Sequence, residues 1–279
     1  MKEGVFNMED EVEITIVVEN TVHEEGLLAE HGLSFWIDYQ ESSCLFDVGQ
    51  GQVLAHNLEN LGLELADLSA VMISHGHYDH AGGLKSVLEK RADLPVYAHP
   101  DIFVPKYSKK DTGEEFRGFP LTRDEINNFN PITDLTEVEE GIFLTGRVPR
   151  ENKREELNPH YQVKKEQELE IDPFRDDQSL ILDTAEGLVI ILGCSHAGVI
   201  NILDYINDNF SKKIHTILGG MHLVNAEESR IAWTIEQLER IGFERLIPIH
   251  CTGSRAVREM VAAFGDRVEI KSVGDRIKV

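Results

Sequence analysis

Cysteine is scarce in this chain of 279 residues, and the three present, Cys44, Cys194 and Cys251, stand far apart. Their number is odd and no C-x-x-C pair occurs, which argues against a disulfide framework and a zinc ribbon. No apolar run approaches the roughly 20 residues that cross a bilayer, so no membrane partner is expected. Basic residues are outnumbered: 27 Lys and Arg against 50 Asp and Glu give a net charge of −23. Phosphate-backbone binding needs Lys and Arg to release counterions, so no nucleic-acid partner is expected either. The stretch Met1 to Glu11 is acidic and mostly polar, unlike a targeting peptide, and a cytoplasmic location is the expectation. Neither a repeat of fixed short period nor a low-complexity segment is visible.

What is present is a hydrophobic content of 41%, ample for a core, and a mixture of strand and helix patterns. Strands are predicted at Glu13 to Glu19, Leu33 to Tyr39, Ser43 to Asp47, Leu68 to Ser74 and Val96 to His99. Helical spacing follows at Val53 to Leu61 and Gly83 to Lys90. From about Asp101 to Asp177 the chain turns polar and carries Pro105, Pro120, Pro131, Pro149, Pro159 and Pro173. That stretch reads as an elaborated insertion or lid with one strand near Gly141 to Thr145. Regular patterns then resume, with strands at Ser179 to Asp183, Leu188 to Leu192, Ile214 to Leu218, Arg245 to Ile249 and Val268 to Val279. Helices are predicted at Val199 to Asn209 and Ser254 to Phe264, and another is expected to start at an Asn225 cap with Glu228 completing a capping box. Hairpins beside β-α units predict an α/β (α+β) architecture over residues 1–279: an αββα sandwich of two mixed sheets with helices outside.

The chemistry concentrates in His75-Gly76-His77-Tyr78-Asp79-His80, at the end of a predicted strand. Residues two apart in extended chain face the same way, so His75 and His77 can grip one ion. Asp79 and His80 fall after the chain turns and can grip a second. Imidazole and carboxylate suit zinc first, with iron and manganese also compatible, and one or two divalent ions are expected. Further ligands must come from elsewhere. His196, in Gly193-Cys194-Ser195-His196-Ala197-Gly198, and His250, in His250-Cys251-Thr252-Gly253, each follow a strand and precede a helix.

This order of motifs resembles the metallo-β-lactamase superfamily across nearly the whole chain. The resemblance implies that His75, His77 and His196 hold one metal and Asp79, His80 and His250 the other. It implies that Asp47, in Leu45-Phe46-Asp47-Val48-Gly49, supports the metal loop by hydrogen bonding. The family usually places a bridging Asp on the strand before the last ligand; Thr216 to Leu223 has no carboxylate, and His222 occupies the likely place. Imidazole presents one lone pair at a time, so His222 is expected to bind one ion or to serve substrate as an acid or base. The stretches Leu27 to Ser34, Gly193 to Gly198, Gly219 to Leu223 and His250 to Gly253 are similar to one branch, that of archaeal dihydropterin–ribofuranosylaminobenzene-phosphate synthase and related metal-dependent hydrolases. His31 belongs to that resemblance, although a structural role at a strand start explains it equally well. Cys194 shares parity with His196 and is expected beside the ligands, whereas Cys251 is expected to point into the core.

The expected function is therefore a metal-dependent enzyme acting on a phosphorylated or otherwise anionic small molecule, with metal-activated water as nucleophile and Asp79 and His222 as catalytic groups. The alternatives are a synthase-like transferase, whose metals bind a diphosphate leaving group, and a non-catalytic metal-binding sensor. A sensor would normally have lost ligands, and this chain lacks only the bridging carboxylate. Arg147-Val148-Pro149-Arg150-Glu151-Asn152-Lys153-Arg154 carries four cations against one anion, and Lys106, Lys109 and Lys110 form a smaller group. Arg makes bidentate contacts with phosphate, so Arg150 and Arg147 are the expected substrate contacts.

Overall fold

The computed structural model describes residues 12–111, 113–165 and 168–279. The first sheet runs, edge to edge, through Arg276–Lys278, Val12–Val18, Ser34–Tyr39, Ser42–Phe46, Ala70–Met72, Val96–Ala98 and Phe129–Pro131. The second runs through Arg245–Pro248, Ile214–Gly219, Gly187–Leu192, Leu180–Thr184, Ile142–Leu144 and Thr136–Glu139. Both are mixed. Their hairpin-linked strands pair antiparallel, and the strands joined by helices pair parallel.

One face of each sheet meets the other. Ile14, Phe35, Phe46 and Met72 of the first pack with Leu180, Val189, Ile191 and Leu218 of the second. The first sheet's outer face carries the helices Leu54–Leu61 and Leu84–Lys90 through Leu54, Leu58, Leu84 and Val87. The second carries Val199–Asn209, Glu228–Ile241 and Ser254–Phe264 through Ile202, Leu203, Ile231, Leu238, Ala256 and Met260. The strands read as near-continuous apolar runs because they are covered on both faces. This is the expected αββα sandwich.

Three expectations are corrected. The stretch 101–177 contains far more than one strand. Phe129–Pro131 extends the first sheet, and Thr136–Glu139 with Ile142–Leu144 extends the second. Lys106–Lys110, Gly113–Phe116, Tyr161–Lys165 and Glu168–Ile171 build a third, antiparallel sheet. These strands are short and polar because one side meets solvent, which hid their period in the sequence. The helix expected to start at Asn225 begins at Glu228, with Glu227 at the cap and no side-chain capping bond. The segment Val268 to Val279 forms a strand only over Arg276–Lys278.

The third sheet is tied to the body by a buried ion cluster. Lys106 Nζ lies 2.8 Å from both Asp172 Oδ2 and Asp176 Oδ1, and all three side chains are buried. Burial works against ionisation of Asp176, but Lys106 and the Gly76 N–H hold its carboxyl below the usual range. Asp176 Oδ2 accepts that Gly76 N–H at 2.7 Å, so the salt bridge reaches the backbone of the histidine run. Lys106→Met would leave two carboxylates buried without their cation, and breaking such a cluster costs about 3–5 kcal/mol. Urea denaturation is expected to read a loss of that size. A loss below about 1 kcal/mol, the scale of an exposed pair, would contradict this account.

Candidate metal centre

The Ala70–Met72 strand delivers Ser74 and His75 at the seam between the sheets, and the short helix Tyr78–Ala81 then turns Asp79 and His80 back toward it. His75 Nε2 and His77 Nδ1 stand 3.0 Å apart, as the two-residue spacing requires. The Gly187–Leu192 strand brings in His196, whose donor lies within 4.8 Å of both. On the other side, His80 Nε2 and His250 Nε2 are 3.2 Å apart, each 3.8 Å from Asp79 Oδ2. The two donor groups adjoin: the His75 and His80 ring centroids are 4.3 Å apart.

Asp47 fixes this arrangement. It is fully buried; Oδ1 accepts the Ser74 N–H and Oδ2 accepts the Ser74 hydroxyl, both at 2.7 Å. Oδ2 also takes His80 Nδ1 at 2.6 Å, which turns Nε2 of that ring toward His250. His250 is oriented in the same manner by Asn20 Oδ1, 2.9 Å from its Nδ1, while its backbone N–H donates to Glu19. Asp47, Ser195, His222 and His250 all adopt positive φ, between 48° and 62°. Non-glycine residues in that region are held there at a cost, and such positions gather at functional sites.

Burial keeps most of these rings neutral. It pushes His77 down to about 3 and His250 to about 4, and lowers His75 and His196 well below the ordinary histidine value. His80 goes the other way. Burial opposes its charge, but Asp47 and Asp79 overcome that and push it up to about 9. Burial also opposes ionisation of Asp79, yet His80 and the His31 hydrogen bond hold it well below the usual carboxylate range. The donor set fits divalent ions: the four neutral imidazoles and an ionised carboxylate converge, His80 would give up its ring proton on binding an ion, and His196 Nε2 is buried with no hydrogen-bond partner among the described residues.

His222 packs its ring 4.4 Å from His196 and 5.5 Å from Tyr161, with a buried Nδ1 that also has no partner among the described residues. Cys194 Sγ lies 3.2 Å from His80 Nε2. Cys251 does not turn away from the site. His250–Thr252 forms a single tight helical turn rather than extended strand, so strand parity fails and the sulfur joins Cys194 and His222. Arg150 is half-buried; its guanidinium donates to the carbonyls of His196 and Glu155, bracing the loop behind the ligands. Arg147 is exposed, its backbone N–H donating to Thr133.

A cavity of about 510 Å³ opens over both donor groups; His77, Asp79, His196 and His250 lie in its wall. The same wall carries His31, within the resembling stretch Leu27 to Ser34, together with Tyr161 and Arg117, which no sequence pattern marks. Tyr161 packs against His77, His196 and His222. His31 Nε2 stands 3.3 Å from Asp79 Oδ2. Neither Arg117 nor Tyr161 sits in a motif; the third sheet carries them in from far along the chain.

The Metallo-beta-lactamase superfamily model matches residues 28–200, a span holding the histidine run, Asp47 and His196. The chain belongs to the metallo-β-lactamase superfamily. Among curated relatives, the uncharacterized protein MJ0448 of Methanocaldococcus jannaschii is 32% identical over 88% of this chain and 93% of its own length. A second protein of that organism, 7,8-dihydropterin-6-methyl-4-(beta-D-ribofuranosyl)-aminobenzene-5'-phosphate synthase, is 28% identical over 90% of each chain. The solved structure of Tm1679, a metal-dependent hydrolase of the beta-lactamase superfamily, is 31% identical and superposes with a TM-score of 0.85, covering 96% of this chain and 99% of its own.

The Asp47 clamp generates a pH prediction for metal-free protein. Because the folded His80 value lies above the unfolded one of about 6.5, its contribution to stability is complete below that pH and fades as pH rises through about 9. Asp47→Asn removes the charge that raises it. The His80 imidazole resonance is then expected to titrate well below 9, and the stability loss is expected to be larger at pH 6 than at pH 10. An unmoved titration would refute the clamp.

Proposed function

We propose that the protein is a metal-dependent hydrolase acting on a phosphorylated or otherwise anionic small molecule, with His75, His77 and His196 holding one divalent ion and Asp79, His80 and His250 a second. The observation that carries this reading is the pair of adjoining buried donor groups beneath a single cavity with a cation in its wall. Zinc is the ion proposed. A divalent ion there supplies Lewis acidity, which polarises an ester or phosphoryl oxygen and acidifies water.

The side chains do the rest. Asp79, held ionised, accepts a hydrogen bond at Oδ2 from the attacking water and orients it. His222 Nδ1 has no other partner among the described residues and stands ready to carry a proton at the leaving group. Burial pushes the Tyr161 phenol upward, so it stays a hydrogen-bond donor over the physiological range. Arg117, whose guanidinium lies 4.9 Å from the Tyr78 ring centre and 2.8 Å from Glu115 Oε2, offers the anionic group a planar pair of donors. Arg150 and His222 line a smaller cavity of about 180 Å³ next door, so the arginine loop offers a second contact for a longer substrate.

The synthase-like transferase is the second reading, favoured by the relative that is 28% identical over 90% of each chain. In that reaction the same groups would hold a diphosphate leaving group while an aromatic partner attacks the pterin methylene.

A panel of phosphoesters, and pterin diphosphate with and without an aromatic acceptor, separates the two. Hydrolysis of a phosphoester without acceptor supports the first; product formation only with acceptor supports the second. His77→Ala is expected to lose most bound zinc by elemental analysis, and unchanged zinc content would defeat the ligand assignment. Arg117→Ala is expected to raise KM for a phosphorylated substrate by about tenfold or more, the loss of one charge-assisted contact, with zinc content intact. An unchanged KM would remove Arg117 from the substrate site.

A further inference from the structure

We propose that the Cys194 thiolate is itself a ligand of the metal centre, between the two donor groups, where the segment Thr216 to Leu223 brings no carboxylate. The proposal rests on the metal centre described above and adds a ligand to it.

The place of the sulfur is the first argument. Cys194 Sγ is 3.2 Å from His80 Nε2, and the Cys194, His75 and His80 donors all lie within 4.8 Å of one another. His75 belongs to one donor group and His80 to the other, so the sulfur faces both. In a tetrahedral zinc site with Zn–N near 2.0–2.1 Å and Zn–S near 2.3 Å, two ligand atoms stand roughly 3.3–3.6 Å apart. The His80 to His250 separation of 3.2 Å and the His80 to Cys194 separation of 3.2 Å both come within a few tenths of that.

The second argument is what the neighbouring strand end lacks. Gly220 follows the Ile214–Gly219 strand, and a Cβ there would stand 2.6 Å from Cys251 Sγ and 3.4 Å from His250 Cδ2. A side chain at this position would point into the site, but the space beside the last histidine is taken by sulfur. Cys251 accepts the His222 N–H at 3.3 Å and donates its S–H to the Cys194 carbonyl at 3.6 Å. It is thus a positioning residue that fixes the turn on which Cys194 is carried.

An ordinary buried thiol packs as a small hydrophobe. Cys194 instead faces imidazole nitrogen on one side and the cavity on the other. Coordination would release the thiol proton to solvent, since the thiolate is the ligand. A thiolate also favours zinc over magnesium or manganese, which take oxygen ligands.

Cobalt(II) tests this without relying on turnover. Metal-free wild type, Cys194→Ser and Cys251→Ser are loaded with cobalt, and metal content, visible ligand-field bands and near-ultraviolet sulfur-to-cobalt charge transfer are recorded. Wild type is expected to show the charge-transfer band. Cys194→Ser is expected to lose it while keeping the ligand-field bands of the histidine and aspartate set, and Cys251→Ser to retain it. Cobalt uptake by wild type without charge transfer overturns the Cys194 ligand and leaves the histidine centre standing. Loss of the band in Cys251→Ser with retention in Cys194→Ser overturns it by moving the bond to the other sulfur. Failure of wild type to take up cobalt overturns the metal centre and this ligand together.

Discussion

The Asp47 carboxylate is the contact on which the geometry of the site depends. It receives three hydrogen bonds in a place without solvent, from the Ser74 N–H, the Ser74 hydroxyl and the His80 ring. Its own backbone N–H donates to Met72, and its carbonyl accepts the Ser34 hydroxyl. One residue therefore joins three neighbouring strands of the first sheet to the start of the histidine run. A buried carboxylate is costly unless its hydrogen bonds are made, so the fold holds this geometry firmly. The consequence at the site is directional: with Nδ1 of His80 committed to Asp47, only Nε2 is left to face the centre.

A second constraint acts from the opposite side. The third sheet reaches the histidine run through Lys106, Asp176 and the Gly76 N–H. Gly76 itself has no room for a side chain, since a Cβ would stand 2.6 Å from the Ile102 carbonyl oxygen. The same sheet carries Tyr161 onto the rings of His77 and His196, and Phe174 beside it stacks on His196 at 4.1 Å. Part of the stretch expected as an elaborated insertion or lid is thus a wall of the cavity, fixed by ion pairing and ring packing.

The cysteines and arginines divide in an instructive way. Arg150, expected to meet substrate, spends donors on the His196 and Glu155 carbonyls. Its neighbour Glu155 is buried against Arg230 and the first N–H groups of the Val199–Asn209 helix. The basic loop is therefore held down by the protein's own acids and helix end, a favourable place for an anion. Cys251 moved into the site for the opposite reason: the backbone at His250 leaves the extended region, and alternation no longer decides where the next side chain points.

By itself the sequence determined the layered architecture, because apolar period and strand-end punctuation are local properties that survive in one dimension. It also determined the histidine run as a site, since His75 and His77 share a face by spacing and Asp79 with His80 lie one turn on. The convergence of His196 and His250 was legible only through their placement after strands. The support from Asp47 and the place of Cys194 beside the ligands were expected; that Asp47 takes Nδ1 of His80, that Arg117 faces the cavity, and that Cys251 joins the site were decided by tertiary structure alone. Asp47 and His80, Arg117 and Tyr161, and Cys194 and Cys251 meet across sheets or sharp turns, and side-chain direction there depends on backbone angles that no spacing encodes.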